Sequence, residues 1–204
     1  PVLCMPTGTG KTFAAVCITG DRIKLKERIF ILTPQVEIFN QWQIAFAEAG
    51  IDAGYINDKG VMGRGKSVYV CMPMSLNNIL SVLPERFKPD IIVTDECHHS
   101  EAASWQNIYN FYPNARRLGL TATPERTDGQ GLDNTYTDII SPITPCEAIA
   151  DGFLSEPLLL VPEQYALDVS VPENGADYDT EEQARQLGKA RIIGDVITQY
   201  TDVF

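Results

Sequence analysis

Met5-Pro6-Thr7-Gly8-Thr9-Gly10-Lys11-Thr12 is the stretch that decides how this chain folds. Glycines at 8 and 10 let backbone N–H groups turn toward the oxygens of a phosphate. Lys11 can reach the terminal phosphates of a nucleotide, and Thr12 offers a hydroxyl to Mg²⁺. Met5 stands where the pattern G-x-x-x-x-G-K-[ST] has its first glycine, so an ordinary glycine-rich turn is the alternative reading. The flanks favour the phosphate loop. Val2-Leu3-Cys4 reads as the end of a buried strand, and Phe13-Ala14-Ala15-Val16-Cys17-Ile18 continues as a helix whose N-terminal dipole faces an anion. Thr7, Gly8, Thr9, Gly10, Lys11 and Thr12 are the expected nucleotide-binding residues.

Outward from this loop, the apolar run Ile91-Ile92-Val93 leads through Thr94 into Asp95-Glu96-Cys97-His98-His99. In an open parallel α/β sheet, ligands bind at the carboxyl ends of strands, so the two carboxylates are expected beside the loop's triphosphate. Asp95, with Thr12, is the expected Mg²⁺ ligand, and Glu96 is placed to orient or deprotonate the attacking water. A solvated surface turn is the bland alternative. The adjacent Cys97, His98 and His99 do not read as a metal site, because three neighbours on one turn cannot converge on one ion.

A third segment, Gly119-Leu120-Thr121-Ala122-Thr123-Pro124, completes an ordered set. Together the three segments resemble motifs I, II and III of superfamily 2 helicases and translocases. The likeness is closest to the DExH branch that includes motor subunits of restriction enzymes and related phage or bacterial DNA helicases. It spans Pro1 to about Pro162. It implies a RecA-like P-loop NTPase domain, ATP and Mg²⁺ as cofactors, and nucleic acid as partner, DNA over RNA. It also implies that Thr121, Ala122 and Thr123 couple the nucleotide site to nucleic-acid movement and that His98 contacts them. Lys11, Asp95, Glu96 and His98 then form the expected catalytic set. A nucleotide-switched sensor or assembly module is the competing class of function, although Glu96 argues against a switch that never hydrolyses.

By the same resemblance, two strand-to-helix turns touch a nucleic-acid backbone. One is Thr33-Pro34-Gln35; the other is Ser75 with Leu76 in Pro73-Met74-Ser75-Leu76, where Ser75 could equally be a plain helix N-cap. Trp42 lies at helical spacing with Ile38 and Phe46 and reads as core, with stacking on a base as the minority alternative. Arg64 and Lys66 could touch a nucleic-acid backbone but read more as decorating a solvated hairpin, and Arg126 is either a surface or nucleic-acid contact or half of a salt bridge.

The 204 residues, 44% of them hydrophobic, can bury one substantial core. The net charge of −11 weighs against a polyanion partner. However, seven acidic residues and no lysine or arginine fall between Glu163 and Glu182, leaving 20 acidic against 16 basic elsewhere. Backbone amides and hydroxyls can track phosphates with few cations. Five cysteines without C-x-x-C spacing suggest free thiols. No long apolar run or secretory signal is seen, so a cytoplasmic protein without a membrane partner is expected.

Alternating elements predict an α/β fold with a mostly parallel sheet and helices on both faces. Strands are expected at Val2 to Cys4, Ile29 to Leu32, Gly54 to Ile56, Val68 to Cys71, Ile91 to Thr94, Arg117 to Leu120 and Leu158 to Val161. Helices are expected after Lys11, over Gln35 to Ala49, Ser75 to Leu83 and Ala103 to Phe111, with an irregular excursion from Pro124 to about Thr144. Residues 1–162 are expected to form the motor domain, truncated at its start so that base specificity cannot be read. Residues 163–204 would be an acidic connector and helix leading to a second RecA-like domain. No Gln-x-x-Gly-Arg-x-x-Arg segment is present to supply that domain's arginines, so the fragment is expected to be nearly inactive alone.

Overall fold

A computed structural model describes residues 1–84, 87–124 and 132–157. The chain divides into two compact units, the first comprising Pro1–Arg126 with Gln130–Ser155. Of the second unit only Glu156 and Pro157 are described. The expected strand at 158–161, the acidic connector, its helix and Arg126 all lie outside the described residues.

Among the described residues, the first unit is built on an eight-stranded sheet. Its strands are β1 (Val2–Cys4), β2 (Ile29–Leu32), β3 (Gly54–Asn57), β4 (Gly60–Met62), β5 (Val68–Cys71), β6 (Ile91–Asp95), β7 (Arg116–Thr121) and β8 (Ile139–Ile140). The helices are α1 (Lys11–Lys24), α2 (Val36–Glu48), α3 (Pro73–Ile79), α4 (Ala103–Phe111) and α5 (Pro145–Ala150). Strand order is β4-β3-β5-β2-β6-β7-β1-β8, and every pairing is parallel except β3 with β4.

The continuous apolar runs explain the centre of this sheet. β2, β5 and β6 are buried along their whole length, as strands covered on both faces must be. Alternation then sorts side chains between two cores. Ile29, Ile31, Val68, Val70, Ile91 and Val93 pack with Ala15 and Val16 of α1 and Phe39, Trp42 and Phe46 of α2. Phe30, Leu32, Tyr69, Cys71 and Ile92 pack on the other face with Leu76 of α3 and Trp105, Ile108 and Tyr109 of α4.

Two strands depart from expectation. β4 pairs with β3 as a hairpin, and β8 pairs with β1 inside the stretch expected to be irregular. β8 is two residues long, Ile139 and Ile140, both exposed, and is too short to show a period. α5 was also missed. It is six residues long and is started by a capping box in which Thr144 and Glu147 satisfy each other's backbone N–H groups.

Candidate nucleotide and nucleic-acid site

The carboxyl ends of β6, β7 and β1 are neighbours in the sheet, which brings the three motif segments to one edge although they are far apart in sequence. The loop after β1 is braced from within. Thr9 Oγ1 donates to Pro6 O at 2.7 Å, and the Met5 amide donates to Thr121 O at 3.1 Å. Gly8 and Gly10 have φ of 85° and 93°, a region closed to most side chains, while Met5 is not among the positive-φ residues. The missing leading glycine therefore costs nothing in backbone strain. Met5 contributes its carbonyl, which any residue has, and the Lys11 ammonium donates to it at 2.9 Å.

The donor set fits a phosphate chain. Gly10 opens α1 in the left-handed conformation, and no side chain caps that helix terminus among the described residues. The first-turn amides and the positive end of the helix dipole thus lie at the same helix start as Lys11. Thr12 sits in that first turn, and Asp95 ends β6 two strands from β1, close enough for Lys11 to act electrostatically on its carboxylate. These are the oxygen donors a magnesium ion takes.

Asp95 is buried at 6% exposure. Its Oδ2 accepts from the Trp42 indole Nε1 at 2.7 Å and its Oδ1 from the Glu96 amide at 3.0 Å. Burial pushes its carboxyl above the ordinary range, and Glu96 adds to this, while the Trp42 and Glu96 N–H groups and Lys11 oppose it. Glu96 itself has φ of 50°, one of two non-glycine residues with positive φ among those described. That turn sends consecutive carboxylates in different directions, Asp95 into the sheet edge and Glu96 outward, half-buried.

His98 connects the second and third motifs. Its Nδ1 stands 3.3 Å from Thr121 Oγ1 and 3.4 Å from Glu96 Oε2. Thr121 donates its only hydroxyl proton to Thr123 O at 2.9 Å and accepts from the Thr123 amide at 3.1 Å. Toward His98 it can therefore only accept, which assigns the proton to Nδ1, with the Glu96 carboxylate standing beside the same nitrogen. Ala122 O lies 3.8 Å from Cys4 Sγ, closing this turn against the end of β1.

The turns expected to meet nucleic acid are arranged differently from expectation. Thr33 is fully buried, its amide donates to Cys71 O at 3.2 Å, and its hydroxyl has no partner among the described residues. Pro34 is half-buried and Gln35, the residue preceding α2, is exposed. The face offered to solvent is therefore Gln35 with the first-turn amides of α2. At the second turn Met72, not Ser75, is the N-cap, and Ser75 lies within the first turn of α3. Leu76 is not a surface contact: it is fully buried in the core under α3, and its amide is used by Met72 O. Lys66 is paired with Asp52, and Arg64 lines a 620 Å³ cavity with Val61, Ile79 and Phe87.

Two features of the site were not foreseen. Trp42 is core, as its spacing indicates, but it also reaches Asp95. Under β6, Thr94 Oγ1 is 2.7 Å from Tyr109 OH, which is 3.4 Å from Tyr136 OH, so a buried hydroxyl chain ties α4 and the segment before β8 to the motif II strand. The available signal was a tryptophan and tyrosines inside otherwise apolar stripes, since each carries a polar atom that burial obliges to find a partner.

Residues 2–126 match the family described as type III restriction enzyme, res subunit. A 51.5 kDa protein of a Lactococcus phage is 33% identical over 200 residues, covering 96% of this chain and 39% of its own. The DNA 3'-5' translocase XPB2 of Sulfurisphaera tokodaii is 29% identical over 147 residues, 70% of this chain and 30% of that one. The chain thus spans well under half of these relatives. Among solved structures, the UvsW helicase from bacteriophage T4 superposes with a TM-score of 0.54 at 19% identity, over 69% of this chain and 54% of that one. Given this match and the motif geometry, the chain belongs to the type III restriction enzyme res-subunit family, and its first unit is an N-terminal RecA-like domain of the superfamily 2 helicases.

Proposed function

We propose that this chain is the first motor domain of an ATP-driven DNA translocase or helicase, acting in the cytoplasm. The observation that carries the reading is the position of His98, whose Nδ1 stands 3.3 Å from Thr121 Oγ1 and 3.4 Å from Glu96 Oε2. The relatives' names point to DNA rather than RNA. In this reading the loop from Thr7 to Thr12 would hold the phosphates, and Thr12 and Asp95 would hold Mg²⁺, which would supply positive charge to the phosphate chain. Glu96 orients the attacking water and accepts its proton, and His98 keeps the Glu96 carboxylate within reach of the Thr121 turn. Arginines of a second RecA-like domain would complete the site. Gln35 and the first turns of α2 and α3 would contact the DNA backbone.

The test is ATPase activity of the intact protein with single-stranded DNA, double-stranded DNA and RNA, beside Lys11→Ala and Glu96→Gln. DNA is expected to stimulate turnover. Lys11→Ala should lose nucleotide binding, whereas Glu96→Gln should keep it and lose about 10²-fold or more in rate. If no polynucleotide changes the rate, the motor reading fails and a nucleotide switch replaces it.

A further inference from the structure

We propose that Trp42 is a positioning residue for Asp95, its indole N–H holding the carboxylate in the orientation that binds the metal ion. The inference rests on Asp95 being the Mg²⁺ ligand. Trp42 is fully buried and lies seven residues into the helix begun after Gln35, so its Cα is about 10 Å from that start. Side chains on a helix tilt back toward its N-terminus, and the long indole uses that tilt to return to the sheet edge where β6 ends. There Nε1 meets Oδ2 at 2.7 Å while the Glu96 amide meets Oδ1 at 3.0 Å. Two N–H groups, one on each oxygen, fix the plane of the carboxylate and leave its remaining lone pairs for a cation or its water.

An indole that merely found a convenient acceptor would not alter metal binding. Mn²⁺ is the probe, its affinity for the ADP complex read by electron paramagnetic resonance. Trp42→Phe should weaken Mn²⁺ binding by roughly 10-fold, while ADP binding in EDTA stays at the wild-type value. Phe46→Leu alters the ring packed on Trp42 at 5.4 Å but touches no bond to Asp95, and should bind Mn²⁺ normally. Equal weakening in Trp42→Phe and Phe46→Leu would reduce the effect to packing and overturn the proposal. So would normal Mn²⁺ binding by Trp42→Phe while Asp95→Asn binds poorly. If Asp95→Asn also binds normally, the reading of Asp95 as metal ligand fails first.

A readout on the unsubstituted protein guards against a variant that does not fold. The chain has two tryptophans, so its indole ¹⁵N–¹H signals are few. Adding Mg²⁺ to the ADP complex should move the Trp42 signal and leave that of Trp105 in place. An unmoved Trp42 signal would overturn the proposal.

Discussion

His98 Nδ1 and Thr121 Oγ1 are 3.3 Å apart, on the turn after β6 and the end of β7, the adjacent strand. Because Thr121 has already given its proton to Thr123, the bond runs from imidazole to hydroxyl, and Glu96 Oε2 stands 3.4 Å from the same nitrogen. A shift of the Thr121 turn would therefore be felt at Glu96 through one ring. Removing that ring by His98→Ala should leave nucleotide affinity near the wild-type value and cut the factor by which DNA stimulates ATPase by about 5-fold or more. The check is a fluorescent-nucleotide titration beside ATPase with and without DNA. Equal stimulation in the two proteins would remove His98 from the coupling path.

Gly119 has no room for a side chain. A Cβ there would meet Cys97 Sγ at 2.7 Å and Tyr136 Cζ at 3.0 Å, both buried under the motif II turn. Gly119→Ala should destabilise the domain by about 1–3 kcal/mol through overpacking. Thermal or urea unfolding reads this directly, and Gly119→Ala with Cys97→Ala should recover part of the loss because the tightest clash is with the thiol.

The cysteines should separate by burial. Cys17 and Cys146 are exposed, whereas Cys71 and Cys97 are buried, and burial pushes the Cys97 thiol up to about 12. At pH 8 an alkylating reagent should modify Cys17 and Cys146 and reach Cys71 and Cys97 only on unfolding, as peptide mass mapping would show. The sign of the linkage follows. The folded-state value is raised above 9.0, so the stabilisation is complete below pH 9 and is lost as pH rises toward 12. The urea midpoint should fall between pH 8 and pH 10.5, and less steeply in Cys97→Ala.

Thr144→Ala removes the capping box of α5 and should lower Tm by about 2–4 °C. Hydrogen bonds from the Thr144 amide and hydroxyl hold the Glu147 carboxyl below its ordinary 4.5. A depressed acid stabilises above its unfolded value and loses that contribution as pH falls through the folded one. The gap in Tm between the two proteins should therefore be full at pH 7 and narrow below about pH 4.

Legibility followed burial and pattern. Val2–Cys4, Ile29–Leu32, Val68–Cys71 and Ala103–Phe111 fall where the sequence places them, and the helix expected over Gln35 to Ala49 is α2 with its two cap residues. β4 and β8 were illegible because a three-residue hairpin arm and a two-residue exposed strand have no periodicity to detect. Ser75 resembles an N-cap by residue type, yet Pro73 takes the first helical position and moves the cap back to Met72.

By itself the sequence determined the order of the motifs, the buried strands and the two glycines of the phosphate loop, because each depends on local geometry or on the period of apolar residues. Only the tertiary structure decided which polar atoms meet. It set Trp42 against Asp95 across 53 residues, His98 against Thr121 across 23, and turned Thr33 and Leu76 inward. The physical reason is that strand order, rather than sequence distance, determines neighbours at a sheet edge, and each buried donor then takes the acceptor that this order brings within reach.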